Sequence, residues 1–180
     1  YLPFPMELKD DWITTMLPQR EKIQLAREKC DILLKRYKLL IDTPVYRDFC
    51  TTHPAAPVPN LLAWLRTANL YISIQCLDAA DGKWEEATRN LLDHLDLGKR
   101  ANAGSRILIN QLIAKAIIVS TLSGLNSIMN HPQCPAGVHR LVLSRMPPIT
   151  YEEYGNRNGI IAECLFGFSL VDSPKTGEMR

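Results

Sequence analysis

His131, Cys134 and His139 are the first residues to weigh for chemistry, because imidazole nitrogens and thiolates are zinc donors. The pattern supplies three donors beside Pro132 and Pro135. A structural zinc site wants four ligands in paired spacing. The expectation is therefore no metal and no cofactor. A cysteine nucleophile would need a histidine partner. Cysteines stand at 30, 50, 76, 134 and 164, and histidines at 53, 94, 131 and 139. None of the cysteines opens a helix after a glycine-rich turn, where a thiolate would be stabilised. The chain has no G-x-S-x-G and no phosphate-cradling loop.

Two carboxylate groupings remain. Asp93, His94 and Asp96 are near one another, but successive helical residues diverge by about 100° and do not converge on one point. They read as a solvated acidic face. Glu163 lies in the apolar run IIAECLFGF, so burial would demand a partner. Arg157 and Arg106 are the candidates, and a structural ion pair is the reading adopted. Glu163, Arg157 and His139 together would form the smallest acid–base set of an enzyme. No catalytic residue is assigned.

Helices must position these groups. Residues 19–42 repeat apolar side chains every three or four positions, from Ile23 through Cys30, Leu34 and Tyr37 to Ile41, and stop before Pro44. Residues 43–59 carry four prolines and read as a strap that covers an apolar face with Val45, Tyr46 and Phe49. A second helix spans 60–80, with Asn60 as its cap. Asp81-Gly82 turns the chain, and a third helix covers 83–100. Its Trp84, Ala87, Leu91, Leu92 and Leu95 point one way. Glu85–Arg89 and Asp96–Arg100 are spaced as ion pairs on the other side. Gly98 and Gly104 bracket the next bend.

The greasiest run forms a fourth helix over 105–130, with Ser105 at the capping position. Its Lys115 favours a core helix over a membrane span. Ala116, Ser120 and Gly124 are spaced to admit a neighbouring helix closely. A short fifth helix covers 136–146, and Thr150 with Glu153 forms a capping box for a sixth over 151–168. Residues 1–18 read as an irregular arm anchored by Phe4 and Trp12. Residues 169–180 read as a polar tail at the end of a piece of a longer chain. The turn-forming YGNRNG at 154–159 is a reasonable place for a binding loop.

The chain has 180 residues, which suits one domain and supports its own core. Hydrophobic residues are 46% and charged residues 22%, as expected for a globular protein. A net charge of +2 lacks the clustered basic excess of a nucleic-acid binder. With 7% aromatics, base-stacking platforms are not expected either. The five separated cysteines read as small buried hydrophobes. In an oxidising compartment, Cys30 with Cys50 and Cys134 with Cys164 are the pairs to consider. The predicted fold is all-α: about six helices in antiparallel hairpins, with 60–80 and 105–130 as the central layer.

DGKWEEATRNLLDHLDL resembles the second helix of a tetratricopeptide repeat, with Gly82, Trp84 and Ala87 at matching positions and Ile74 on the preceding helix. The resemblance covers about 68–98. It departs at Gln75, Asp78 and Lys99, and no second copy is present at the repeat's period. It implies a TPR-like stack of helical hairpins, with an irregular bundle as the alternative. A broader likeness over about 30–165 is to uncharacterised envelope proteins of Gram-negative bacteria. That likeness implies an N-terminal membrane tether outside this chain and a periplasmic body on the inner membrane. The cytoplasm is the alternative location.

These readings converge on a non-catalytic protein-interaction or scaffold module with a protein partner. Arg66, Asn69, Arg106, Asn110 and Gln111 are the expected binding residues, as polar positions on otherwise apolar helices. The alternatives are an enzyme or enzyme subunit completed by residues elsewhere, or a small-ligand or lipid binder between apolar helices.

Overall fold

The computed structural model describes residues 11–46, 60–105 and 108–146. Over these residues the chain is all-α, with no strand among them. Helices are α1 (Trp12–Met16), α2 (Arg20–Lys29), α3 (Asp31–Asp42), α4 (Leu61–Ala80), α5 (Trp84–Gly104), α6 (Leu108–Met129) and α7 (Ala136–Arg145), with a 3-10 turn at Leu17–Gln19. The helix expected over 151–168 lies outside the described residues, as do Phe4, Phe49 and the 154–159 turn.

Local signals set most boundaries. The Asn60 side chain accepts from the Ala63 N–H at 3.0 Å and opens α4. Gly82, at φ 93, closes it in a left-handed conformation that glycine adopts without a Cβ penalty. The Lys83 N–H reaches the Asp78 carbonyl at 3.0 Å, and the Gly82 N–H reaches that of Ala79 at 2.8 Å. This pair of bonds is a Schellman C-cap, and it satisfies carbonyls that the helix end would orphan. Asp11 caps α1 by accepting from the Ile13 N–H at 3.0 Å.

The single helix expected over 19–42 is bent. Cys30 has φ −103 and ψ 15, yet its N–H still bonds Ala26 and its carbonyl still accepts from Leu34. The bend lets one chain stretch serve two cores. Ile23 joins a large cluster with Trp12, Ile72, Leu91, Leu95, Ile118 and Leu125, whereas Tyr37 and Ile41 join a smaller one with Ala68, Tyr71, Leu97 and Ile117. Each fully buried Leu or Ile in these clusters stabilises by roughly 1.5–3 kcal/mol.

The expected central helix α4 packs against α1, α2, α3, α5 and α6. The amphipathic α5 is equally embedded, packing against α3, α4, α6 and α7. Its far end buries Leu97, Gly98, Ala101 and Asn102, and Gly98 and Gly104 lie within it rather than bracketing a bend. A Cβ on Gly98 would meet Ile118 Cγ1 at 2.8 Å, and one on Gly124 would meet Ile72 Cγ2 at 2.8 Å. The small-residue row of α6 thus works at Gly124. Ala116 and Ser120 are only half-buried.

Trp12 is fully buried, and its backbone N–H donates to Ser127 Oγ at 2.7 Å, which fastens α1 to α6. Tyr46 stacks on Trp64 with centroids 5.8 Å apart, while Val45 stays 60% exposed; the strap's residues 47–59 lie outside the described residues. α6 is the one described helix long and apolar enough to cross a membrane, and half of that span is buried in the body.

Candidate functional site

His94 has no exposure at all, contrary to the solvated face read from the sequence. Four helices meet on it. Its Nε2 is 2.8 Å from Tyr37 Oη on α3, and its Nδ1 is 2.8 Å from Thr121 Oγ1 on α6. The Tyr71 ring of α4 lies against it with centroids 5.3 Å apart. The proton positions follow from the acceptors. Thr121 Oγ1 also lies 2.7 Å from the Ile117 carbonyl, which can only accept, so the threonine proton goes there. Thr121 therefore accepts from His94 Nδ1–H, and the neutral ring leaves Nε2 to accept from the Tyr37 hydroxyl.

Burial holds the His94 pKa down to about 3 and pushes the hydroxyls of Tyr37 and Tyr71 up. The ring is neutral at physiological pH, with each nitrogen bonded. Such a group orients helices. It does not exchange protons with a substrate it cannot meet.

The neighbouring carboxylates do something else. Asp93 and Asp96 take Arg145 of α7 at 2.9 and 3.1 Å, so Asp96 does not pair with Arg100. Arg100 instead donates to the Ile41 carbonyl at 2.7 Å. Glu85 and Arg89 do pair, at 2.9 Å.

The expected binding residues separate. Arg66 is exposed, and Arg106 lies outside the described residues. Asn69, Asn110 and Gln111 are buried, with exposures of 7%, 1% and 1%. The Gln111 amide donates to the Ser105 carbonyl at 3.2 Å and faces that of Asn102 at 3.5 Å. It closes the C-terminal end of α5 from the start of α6. These three side chains line the interior of the helix stack rather than an open concave face.

The remaining chemical candidates are also dispersed. His131 packs its ring on Trp84 at 5.0 Å and accepts from the Gln133 N–H at 3.2 Å. His139 is exposed. Among the described residues no three or more His, Cys, Asp or Glu side chains are placed to hold a metal. Cys30, Cys76 and Cys134 are free thiols, and their proposed partners Cys50 and Cys164 lie outside the described residues. Burial pushes the Cys76 and Cys134 thiols up, which opposes thiolate formation. Glu163 and Arg157 lie outside the described residues too.

The surface carries the feature that sequence reading passed over. Ile32 and Leu39 on α3 are each 68% exposed, and Leu25 on α2 is 50% exposed. Sequence periodicity contained the signal, because these residues fall seven apart, off the stripe that faces the core. No protein-family model, no curated protein and no solved structure matches the chain.

Proposed function

We propose that this protein works by contact, as a helical scaffold that holds a partner polypeptide rather than transforming a substrate. The observation that carries this reading is the exposed apolar row Leu25, Ile32 and Leu39 on the outer side of α2 and α3. Isolated exposed leucines are ordinary, but a repeated apolar row on one helical side marks a surface suited to another chain. The buried polar groups support the same reading. His94, Thr121 and Gln111 are spent on joining helices, which leaves a rigid body for presenting a surface.

The α4–α5 hairpin is proposed as a tetratricopeptide-like unit. Supporting it are Gly82 in the turn, the fully buried Ala87 and the inward Ile74 and Trp84. Gln75, where the repeat expects a small residue, accepts from Asn90 Nδ2 at 2.9 Å and so ties the two helices together. The likeness to envelope proteins would put the contact in the periplasm, near a membrane tether.

Crosslinking the full-length protein in its native cells, followed by pull-down and mass spectrometry, tests the contact reading. One dominant partner, joined through peptides of this chain, is the expected result. Recovery of no crosslinked protein across several linker lengths would overturn it. It would leave the enzyme and ligand-binding alternatives to a metabolite thermal-shift screen.

A further inference from the structure

α6 is one unbroken helix from Leu108 to Met129, and its two sides differ. One side is taken up by the body: Gly124 meets Ile72 of α4, Ile118 meets Gly98 of α5, and Ser127 holds the Trp12 backbone N–H of α1. The other side is open over about its first three turns. Ile109 and Leu112 are 45% and 47% exposed, and Leu108, Ala116 and Val119 are half-buried beside them. At about 100° per residue, these five side chains fall on one stripe about 100° wide.

Charge on α6 is a single cation. Lys115 is its one charged residue and stands at the edge of the open stripe, three residues after Leu112 and four before Val119. Residues 147–180 lie outside the described residues. Their sequence includes IIAECLFGFSLV at 160–171, the longest apolar run outside the described residues, and Glu163 is its one charge. The chain leaves α7 at Met146, beside Arg145, which Asp93 and Asp96 hold on α5. Residues 147–159 extend to about 45 Å, and packed helices such as α5 and α6 have axes about 8–10 Å apart. The run is therefore within reach of α6.

We propose that the open side of α6 is the docking face for this chain's own run 160–168, with Glu163 beside Lys115 rather than Arg157 or Arg106. The inference is independent of the contact reading, which concerns α2 and α3. Face and run are both apolar, so one docking step removes both from water. The tether keeps the run at roughly millimolar effective concentration. A carboxylate buried in that seam requires a partner, and the face carries one cation to meet it. The other occupants fit less well. A second copy of α6 has no Asp or Glu to offer Lys115. A bilayer would meet a helix whose other side is committed to the body. Residues 1–10 are interrupted by Pro3 and Pro5, and residues 47–59 by Pro54, Pro57 and Pro59, so neither supplies an unbroken apolar stripe.

The test uses the full chain. Leu112→Cys, Ala116→Cys and Val119→Cys are each oxidised with copper phenanthroline, and the disulfide-linked peptides are identified by mass spectrometry. At least one of the three is expected to join the native Cys164 within the same molecule. Leu143→Cys, on the exposed side of α7, is the control and should not join it. Charge exchange is the second measurement. Lys115→Glu and Glu163→Lys should each lower the melting temperature by about 2–4 °C, and the two together should regain most of that loss.

Linkage of Cys164 to none of the three positions above the level at the control overturns the proposal. So do additive losses in the charge exchange, which would separate Glu163 from Lys115. Disulfides from α6 to a second molecule would give the face to a second copy. Links from α6 to Cys50 would give it to residues 47–59. Binding to phosphatidylserine vesicles that Ile109→Glu with Leu112→Glu abolishes would give it to a bilayer. Each of these three outcomes overturns the proposal, and none of them touches the contact reading.

Discussion

Tyr37 and His94 are joined across 2.8 Å, phenol oxygen to Nε2, at the point where α3, α4, α5 and α6 come together. The bond continues through Nδ1 to Thr121 and on to the Ile117 carbonyl, so one buried ring fixes the side chains of two other helices. Tyr37→Phe removes the donor and leaves Nε2 buried without a partner. The expected loss is about 1–3 kcal/mol in urea unfolding. Thr121→Val should cost a similar amount.

The same ring sets a pH dependence. The folded pKa of about 3 lies below the usual value of 6.5, so the unfolded chain binds the proton more readily between those two pH values. The contribution of His94 to stability is therefore complete above pH 6.5 and falls as pH drops toward 3, by up to about 1.4 kcal/mol per unit. Urea unfolding at steps from pH 7 to pH 4 measures it. His94→Gln should flatten this part of the profile. An unchanged slope in that variant would show that other groups produce the acid sensitivity.

Close approach is required by the packing at Gly98 and Gly124, and at Gly104, where a Cβ would meet the Tyr46 carbonyl oxygen. Gly98→Ala places a methyl 2.8 Å from Ile118 Cγ1, and Gly124→Ala places one 2.8 Å from Ile72 Cγ2. Each should lower stability by about 1–3 kcal/mol through overpacking. Shortening the opposing side chain should return part of that loss. Melting curves of Gly98→Ala in the wild-type chain and in Ile118→Ala, which removes Cγ1, decide whether steric contact is the cause.

At Gly82 the reason is the backbone alone. Nothing lies within 4 Å of an added Cβ, but φ is +93. Gly82→Ala should cost about 1–2 kcal/mol, and Gly82→Asn less, because asparagine tolerates a left-handed conformation better. Equal losses for the two would place the cost somewhere other than φ.

Gln111 provides the last test. Gln111→Ala frees the Ser105 carbonyl that its amide now caps. The expected cost is about 1 kcal/mol, with faster amide exchange in the last turn of α5. Partner binding lost at unchanged stability would instead return Gln111 to the contact surface.

What could be read from the residue order was whatever neighbouring positions decide among themselves. The runs that became α4 and α6 are apolar over enough turns to name, and those that became α2, α3 and α5 are amphipathic with a helical period. Asn60 and Asp81-Gly82 mark boundaries by hydrogen bonds that span at most five residues. The all-α class follows from those signals. Tertiary packing decided which polar residues are inside. His94 sits in a charged stretch and resembles its neighbours Asp93 and Asp96. Only the arrival of α3 and α6 on one side of α5 separates a ring bonded by Tyr37 and Thr121 from two carboxylates held by Arg145. Asn69, Asn110 and Gln111 are inside for the same reason. A polar residue on an apolar helix can face water or satisfy a neighbour's carbonyl, and the choice depends on chain segments distant in sequence. The bend at Cys30 has that origin as well. One amphipathic pattern, periodic from end to end, had to reach two separate apolar clusters, and a straight helix could not face both.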